Sequence, residues 1–177
     1  MSEEQTLQTA NPIAAAWAIA GFSALMLQAI YKLLTISIDA FNYSFSKIHW
    51  LALIANIVFM AYSEGYKGFQ RGFSPRFAHR ARHVYLQGTF VERTLAPFYC
   101  MNFFNAPVRR MIVSYLLLLM ILVFIFLFQR IPLPWRGILD AGVVVGLAWG
   151  LASTLHACFQ IFSTKNLSLE KNVQGEY

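Results

Sequence analysis

Four stretches of the chain are predominantly apolar over the length that crosses a hydrocarbon core, about 20 residues for about 30 Å. The first covers residues 13–36 and is entered through Asn11, suited to cap a helix, and Pro12, whose missing N–H is harmless in a first turn. It ends near Asp39. The second, 48–66, opens with Lys47, His49 and Trp50, the mixture found at a membrane surface, and runs into a basic loop. The third, 111–128, is a row of Leu, Ile, Val, Met and Phe between Arg109, Arg110 and Arg130. The fourth, 138–162, follows a turn containing Pro132, Pro134, Trp135, Arg136 and Gly137. The pattern predicts an all-α fold: a polytopic integral membrane helical bundle of four transmembrane helices, in a single membrane domain over residues 1–177.

Residues 84–107 are apolar on average yet contain Glu92, Arg93, Pro97, Asn102, Asn105 and Pro107. A charge at the centre of an isolated span costs about 2.5 to 3.5 kcal/mol on insertion scales. The segment therefore reads as an interfacial amphipathic helix between spans two and three, broken at Pro97. A re-entrant segment and a fifth span with Glu92 and Arg93 neutralising each other are the rival readings.

Composition agrees with the pattern. Apolar residues make up 58% and charged residues 12% of the 177, and the mean hydropathy is +0.52. A water-soluble domain carries about 25% charged residues. The apolar excess excludes a disordered tail, a secreted disulfide scaffold and an ordinary cytosolic enzyme. Cys100 and Cys158 are widely separated and form no C-x-x-C pair, and no glycine-rich phosphate loop or lipidation motif occurs. The first run is too long for a signal-peptide core and is expected to be retained as a span.

Charge orients the bundle. Lys67, Arg71, Arg76, Arg80, Arg82, Arg93, Arg109 and Arg110 account for eight of the 14 Lys and Arg residues, so segment 67–110 is expected to be cytoplasmic. Four spans put both termini on the same side, adding Lys165 and Lys171 and leaving Lys32, Lys47, Arg130 and Arg136 outside. Glu3 and Glu4 count little in this rule. A bacterial inner membrane is the simplest setting.

Membrane helices associate where small side chains let backbones approach. Gly142, Gly146 and Gly150 form such a ridge on span four, and Ala16, Ala20 and Ala24 form one on span one. The two spans are expected to pack as antiparallel neighbours, with homodimerisation through the glycine ridge as the alternative. Span three has no ridge and is expected at the periphery, with Ser114 and Tyr115 as its polar handles.

The most informative polar stretch begins at Ser63. With α-helical spacing, Tyr62, Tyr66, Phe69 and Phe73 share one face, Gly68 and Gly72 offer a closely packed one, and Glu64 pairs with Lys67 or Arg71 or titrates against a ligand. After Pro75, a helix gathers Arg76, His79, Arg80 and His83 on one side, suited to a phosphate or lipid headgroup. Anionic lipid contact is thus expected at Lys67, Arg71, Arg76, Arg80, Arg82, Arg109 and Arg110, at about 1 kcal/mol per basic side chain. Lipid is the nearer partner than nucleic acid at the mouth of a membrane bundle. His79 and His83 have metal-ligand spacing, but guanidinium groups crowd them and no acid or Cys joins, so no metal is expected. His49 and His156 fall at opposite ends of their spans, which gives a haem no axial pair, and no cofactor is expected. Asn56 is placed to bond across helices and Arg136 to pair with Asp140.

Three functions fit these residues. One is a non-enzymatic subunit, assembly factor or scaffold whose basic cytoplasmic face contacts anionic lipid or an acidic partner, within a larger membrane complex or a homodimer. Another is a small transporter with an inner vestibule at Glu64, Lys67 and Arg71. The third is an enzyme acting on a lipid headgroup, with Glu64 or Glu92 as acid or base; no serine elbow or other catalytic signature accompanies it.

Overall fold

The computed structural model describes residues 10–174, with side chains as far as residue 163. Glu3 and Glu4 lie outside the described residues, as do the side chains of Lys165 and Lys171. The described residues form helices and connections only, and four of the helices are long and apolar enough to cross a membrane.

Helix α1 (Pro12–Ala40) starts as its sequence predicts: the Asn11 side chain accepts from the Ala14 N–H at 3.1 Å, and proline occupies the first turn. Helix α2 (Lys47–Met60) passes without a break into a π-helical stretch (Ala61–Phe73) and then into α3 (Ser74–Gln87). The result is one rod of 41 residues, roughly 55 Å long and well beyond the hydrocarbon thickness. Two short helices follow, α4 (Phe90–Thr94) and α5 (Ala96–Cys100), then α6 (Val108–Phe128) and α7 (Trp135–Gln174).

Helix α1, the long rod and α7 pack together. A side chain at Gly137, at the start of α7, would strike Ala40 at the end of α1, while Cys158 joins Ala14 and Ala18 in one core cluster. The two helices are therefore antiparallel neighbours. The rod runs parallel to α7, since Asn56 meets Ile138, Phe69 meets Gly150 and Ser74 meets Thr154. Phe22 of α1, almost wholly buried, stacks on Phe73 and meets Phe77 at a tilt, with ring centroids 5.3 and 4.8 Å away. Truncating a side chain buried in this way costs about 3 to 5 kcal/mol.

The face of α1 differs from the expected one. Ala16, Ala20 and Ala24 are exposed, whereas Ala14, Ala15, Ala18 and Phe22 are buried. Small residues occupy nearly every side of the first turns of α1, so the large Phe22 decides which side turns inward. Helix α6 stands apart, and none of its residues is buried. Its ties are at its base, where Ser114 Oγ donates to the Met101 carbonyl and Tyr115 Oη to that of Phe103, both at 3.0 Å.

Segment 84–107 is not one helix broken at Pro97. The chain breaks at Gly88 and again at Leu95, and α5 then lies on α1, with Pro97 against Gly21. The Trp17 indole N–H donates to the Thr94 carbonyl at 3.1 Å, and Ala96, Tyr99 and Cys100 enter the core.

Candidate functional site

The π winding decides which side chains meet. Bonding of i to i+5 gives roughly 4.4 residues per turn, so residues five apart lie one above the other. The inward row is Glu64, Phe69 and Ser74, which meets Gly146, Gly150 and Thr154, spaced by four on α7. An i+5 row on a π helix thus runs in step with an i+4 row on an α-helix. Ser74 Oγ lies 2.9 Å from Thr154 Oγ1 and 3.0 Å from Ser153 Oγ. Above them, a side chain at Gly142 would strike Asn56, and this gap lets Asn56 Nδ2 donate to the Ile138 carbonyl at 2.8 Å. Along this seam the side-chain space of Gly65, under Trp149, and of the α7 ridge is taken by the neighbouring helix, whereas a side chain at Gly68 would meet only its own helix's backbone. Gly68 and Gly72 do not form the packed face that α-helical spacing predicts.

The outward row shows the same spacing. The Lys67 ammonium lies 5.1 Å from the Tyr62 ring centroid, and the Arg71 guanidinium 4.8 Å from that of Tyr66. Each cation stacks on the aromatic residue five positions back, at about 0.5 to 1 kcal/mol in exposed sites and more when desolvated. Glu64 therefore pairs with neither Lys67 nor Arg71. It is half-buried against Gly146, while Lys67 and Arg71 are exposed over Tyr62 and Tyr66.

Of the other basic residues, Arg76, Arg109 and Arg110 are exposed, and Arg76 Nε donates back to the Gly72 carbonyl. Arg82 is half-buried with its Nε unbonded. Arg80 departs from expectation. Its Nε donates to the Tyr99 carbonyl at 2.8 Å and its terminal nitrogen to those of Phe104 and Asn105 at 3.0 and 3.3 Å. The same guanidinium lies 3.7 Å from the Tyr99 ring centroid. Arg80 holds the loop after α5.

Glu92 caps α4. Its carboxylate accepts from the Thr89 N–H at 2.9 Å and from Asn105 Nδ2 at 2.5 Å, and the His83 ring lies 3.9 Å away. Burial alone would raise its pKa, but the Thr89 and Asn105 hydrogen bonds and the nearby His83 outweigh burial and leave it lowered. A carboxylate held in this way serves a cap and is not poised as an acid. Burial pushes the Cys100 thiol up to about 12, which keeps it protonated and unreactive.

Beside the seam between the π stretch and α7 lies an open groove of about 920 Å³. Val144, Val145 and Ala148 line one end, His156 and Gln160 line the other, and Gln70 stands between them beside Trp149. The Trp149 indole donates to Gln70 Oε1 at 2.8 Å, and His156 and Gln160 share a 3.0 Å hydrogen bond. At the far end of the bundle the His49 ring meets Trp135 at 4.8 Å, and Arg136 lies 3.6 Å from Asp140. His156 is roughly 31 Å along α7 from Trp135 at 1.5 Å per residue.

Sequence spacing did not expose this groove, because Gln70 and Trp149 meet only under π winding; the polar inner half of span four was the one available signal. Comparison with protein-family models, curated proteins and solved structures finds no match to this chain.

Proposed function

We propose that the protein is a non-enzymatic membrane scaffold, a subunit or assembly factor of a larger membrane complex, whose basic end contacts anionic lipid or an acidic partner. In this reading the basic end is cytoplasmic, with both termini on that side, and the host is a bacterial inner membrane. The observation that carries it is helix α6, 21 residues with an 18-residue stretch of mean hydropathy 3.0 and no buried residue, outside a core formed by the other long helices. The two arginines at its base, Arg109 and Arg110, are exposed, so a docking helix and a basic anchor lie side by side. A photoreactive residue placed at Leu119, Leu122 or Phe126 in native membranes tests this. Discrete adducts with one polypeptide or with a second copy are expected. Adducts with lipid alone at all three positions would overturn the scaffold reading.

A second reading, the small transporter, draws support from Glu64, an ionisable residue at membrane depth within a π stretch, since such residues and such windings recur at functional sites. It relies on Glu64 without Lys67 and Arg71. Loss of solute uptake in Glu64→Gln, with α6 cross-links unchanged, would favour it.

A further inference from the structure

The chain reverses between α5 and α6 through Asn102 and Asn105, whose left-handed φ angles are 64° and 53°. Side chains occupy the carbonyls of this turn. Arg80 donates to those of Tyr99, Phe104 and Asn105, Ser114 to that of Met101 and Tyr115 to that of Phe103. A surface loop can leave its carbonyls to water, whereas non-helical backbone at membrane depth has to find its partners inside the protein. The turn is bonded in the second manner.

Helix α6 measures its height. The 21 residues of α6 match the hydrocarbon core, with Arg109 and Arg110 at the basic end and Arg130 just past the other. Ser114 stands roughly 9 Å into that length from Val108, and its short side chain fixes the Met101 carbonyl near the same level. Pro97, against Gly21, marks the edge of the core, because roughly 28 Å of α1 separates Gly21 from Ala40 at the far end. The chain thus climbs into the leaflet from Pro97 to Met101 and leaves it again between Phe103 and Val108. Trp17, one turn before Gly21 and bonded to the Thr94 carbonyl, is the aromatic residue expected at headgroup level.

We propose that α5 and the turn to Val108 form a re-entrant wedge in the leaflet at the basic end, with Phe98 and Phe103 against the acyl chains of the lipids there. The described bundle leaves Phe98 48% exposed, with the Phe103 ring 6.1 Å away. Hydrocarbon is the fitting partner at this depth, since Glu92 is engaged in capping α4 and Arg80 in holding carbonyls. The inference rests on α6 crossing the membrane, as in the scaffold reading, but not on what α6 docks against.

Nitroxide labels on the full chain in phosphatidylcholine vesicles test this through access to oxygen, which enters hydrocarbon, and to a nickel chelate, which stays in water. Cys100 and Cys158 are buried and remain in place. A label on Phe98→Cys should lose most of the nickel access shown by one on Gln87→Cys, at the exposed end of the rod, and should have less oxygen access than one on Leu118→Cys in α6. Equal nickel access at Phe98 and Gln87 with Leu118 dry would overturn the wedge and leave α6 as a span. A wet Leu118 would remove both. Wild type gives a second measurement: phosphatidylcholine carrying a diazirine in its acyl chain should attach within residues 98–104, located by peptide mass spectrometry. Attachment there from a headgroup diazirine alone would place the turn at the surface, and attachment to α6 but not to the turn would mean that protein covers Phe98; either result would overturn the proposal.

Discussion

At single positions, the seam between the rod and α7 is governed by how much space each glycine leaves. A Cβ at Gly150 would sit 2.5 Å from the Phe69 ring, whereas one at Gly146 would come no nearer than 3.3 Å, to Glu64 Cβ. A ring wedged between helices cannot retreat, while Glu64 can shift by a few tenths of an ångström. Gly150→Ala is therefore expected to destabilise by about 1 to 3 kcal/mol through overpacking, and Gly146→Ala by clearly less. Denaturant unfolding in detergent ranks the two, and the reverse order would mean that the contact with Phe69 is misplaced. Glu92 gives a pH signature. Its folded pKa is lowered from the ordinary 4.5, so its stabilising effect is complete above that value and disappears as pH falls through the lower folded value. The melting difference between wild type and Glu92→Gln should shrink on acidification across that window and stay flat above pH 5. A difference that grows on acidification would contradict the cap.

Among the elements, the π stretch is the decisive one. Thirteen residues at roughly 4.4 per turn sweep nearly the same rotation as 11 residues of α-helix, and their smaller rise makes the lengths agree as well. The stretch thus behaves as an α-helix carrying two extra residues. Deleting Gly68 alone should turn α3 by roughly 80 to 130° relative to α7 and bring Phe77 and Ala81 out of the core. Deleting Lys67 and Gly68 together should let the stretch rewind as α-helix nearly in phase and keep more stability than the single deletion. Expression and melting of the two variants decide this. The same winding explains the limit of sequence reading. The four long apolar helices, the peripheral α6 and a close helix contact at Gly142, Gly146 and Gly150 follow from apolar length and small-residue spacing, but the glycine ridge meets the rod at Asn56, Glu64 and Phe69 and not the alanine row of α1. The Tyr62, Tyr66, Phe69, Phe73 face does not survive, because a 3.6-residue period was applied to a stretch of another period. The alanine row of α1 was ambiguous, since small residues surround its early turns. The role of Arg80 was hidden because its partners are backbone carbonyls, which leave no mark in side-chain patterns.

For the whole molecule, the free-standing α6 has a mechanical consequence. Its 21 residues extend roughly 31 Å, matched to an average hydrocarbon core, and it is linked to the bundle through connections at its two ends. The rod and α7 are fixed by their mutual packing and cannot tilt independently. A thinner bilayer therefore creates a hydrophobic mismatch that α6 relieves by leaning, while the core keeps its angle. Spin labels at Leu118 on α6 and Val58 on α2 should report separations that change across nanodiscs of graded acyl length, and labels at Val58 and Trp149 should not. If both pairs stay constant, α6 is clamped. If only the first pair moves, the protein carries its own thickness gauge, with the tether at Ser114 and Tyr115 as the fulcrum about which membrane compression becomes a change of helix angle.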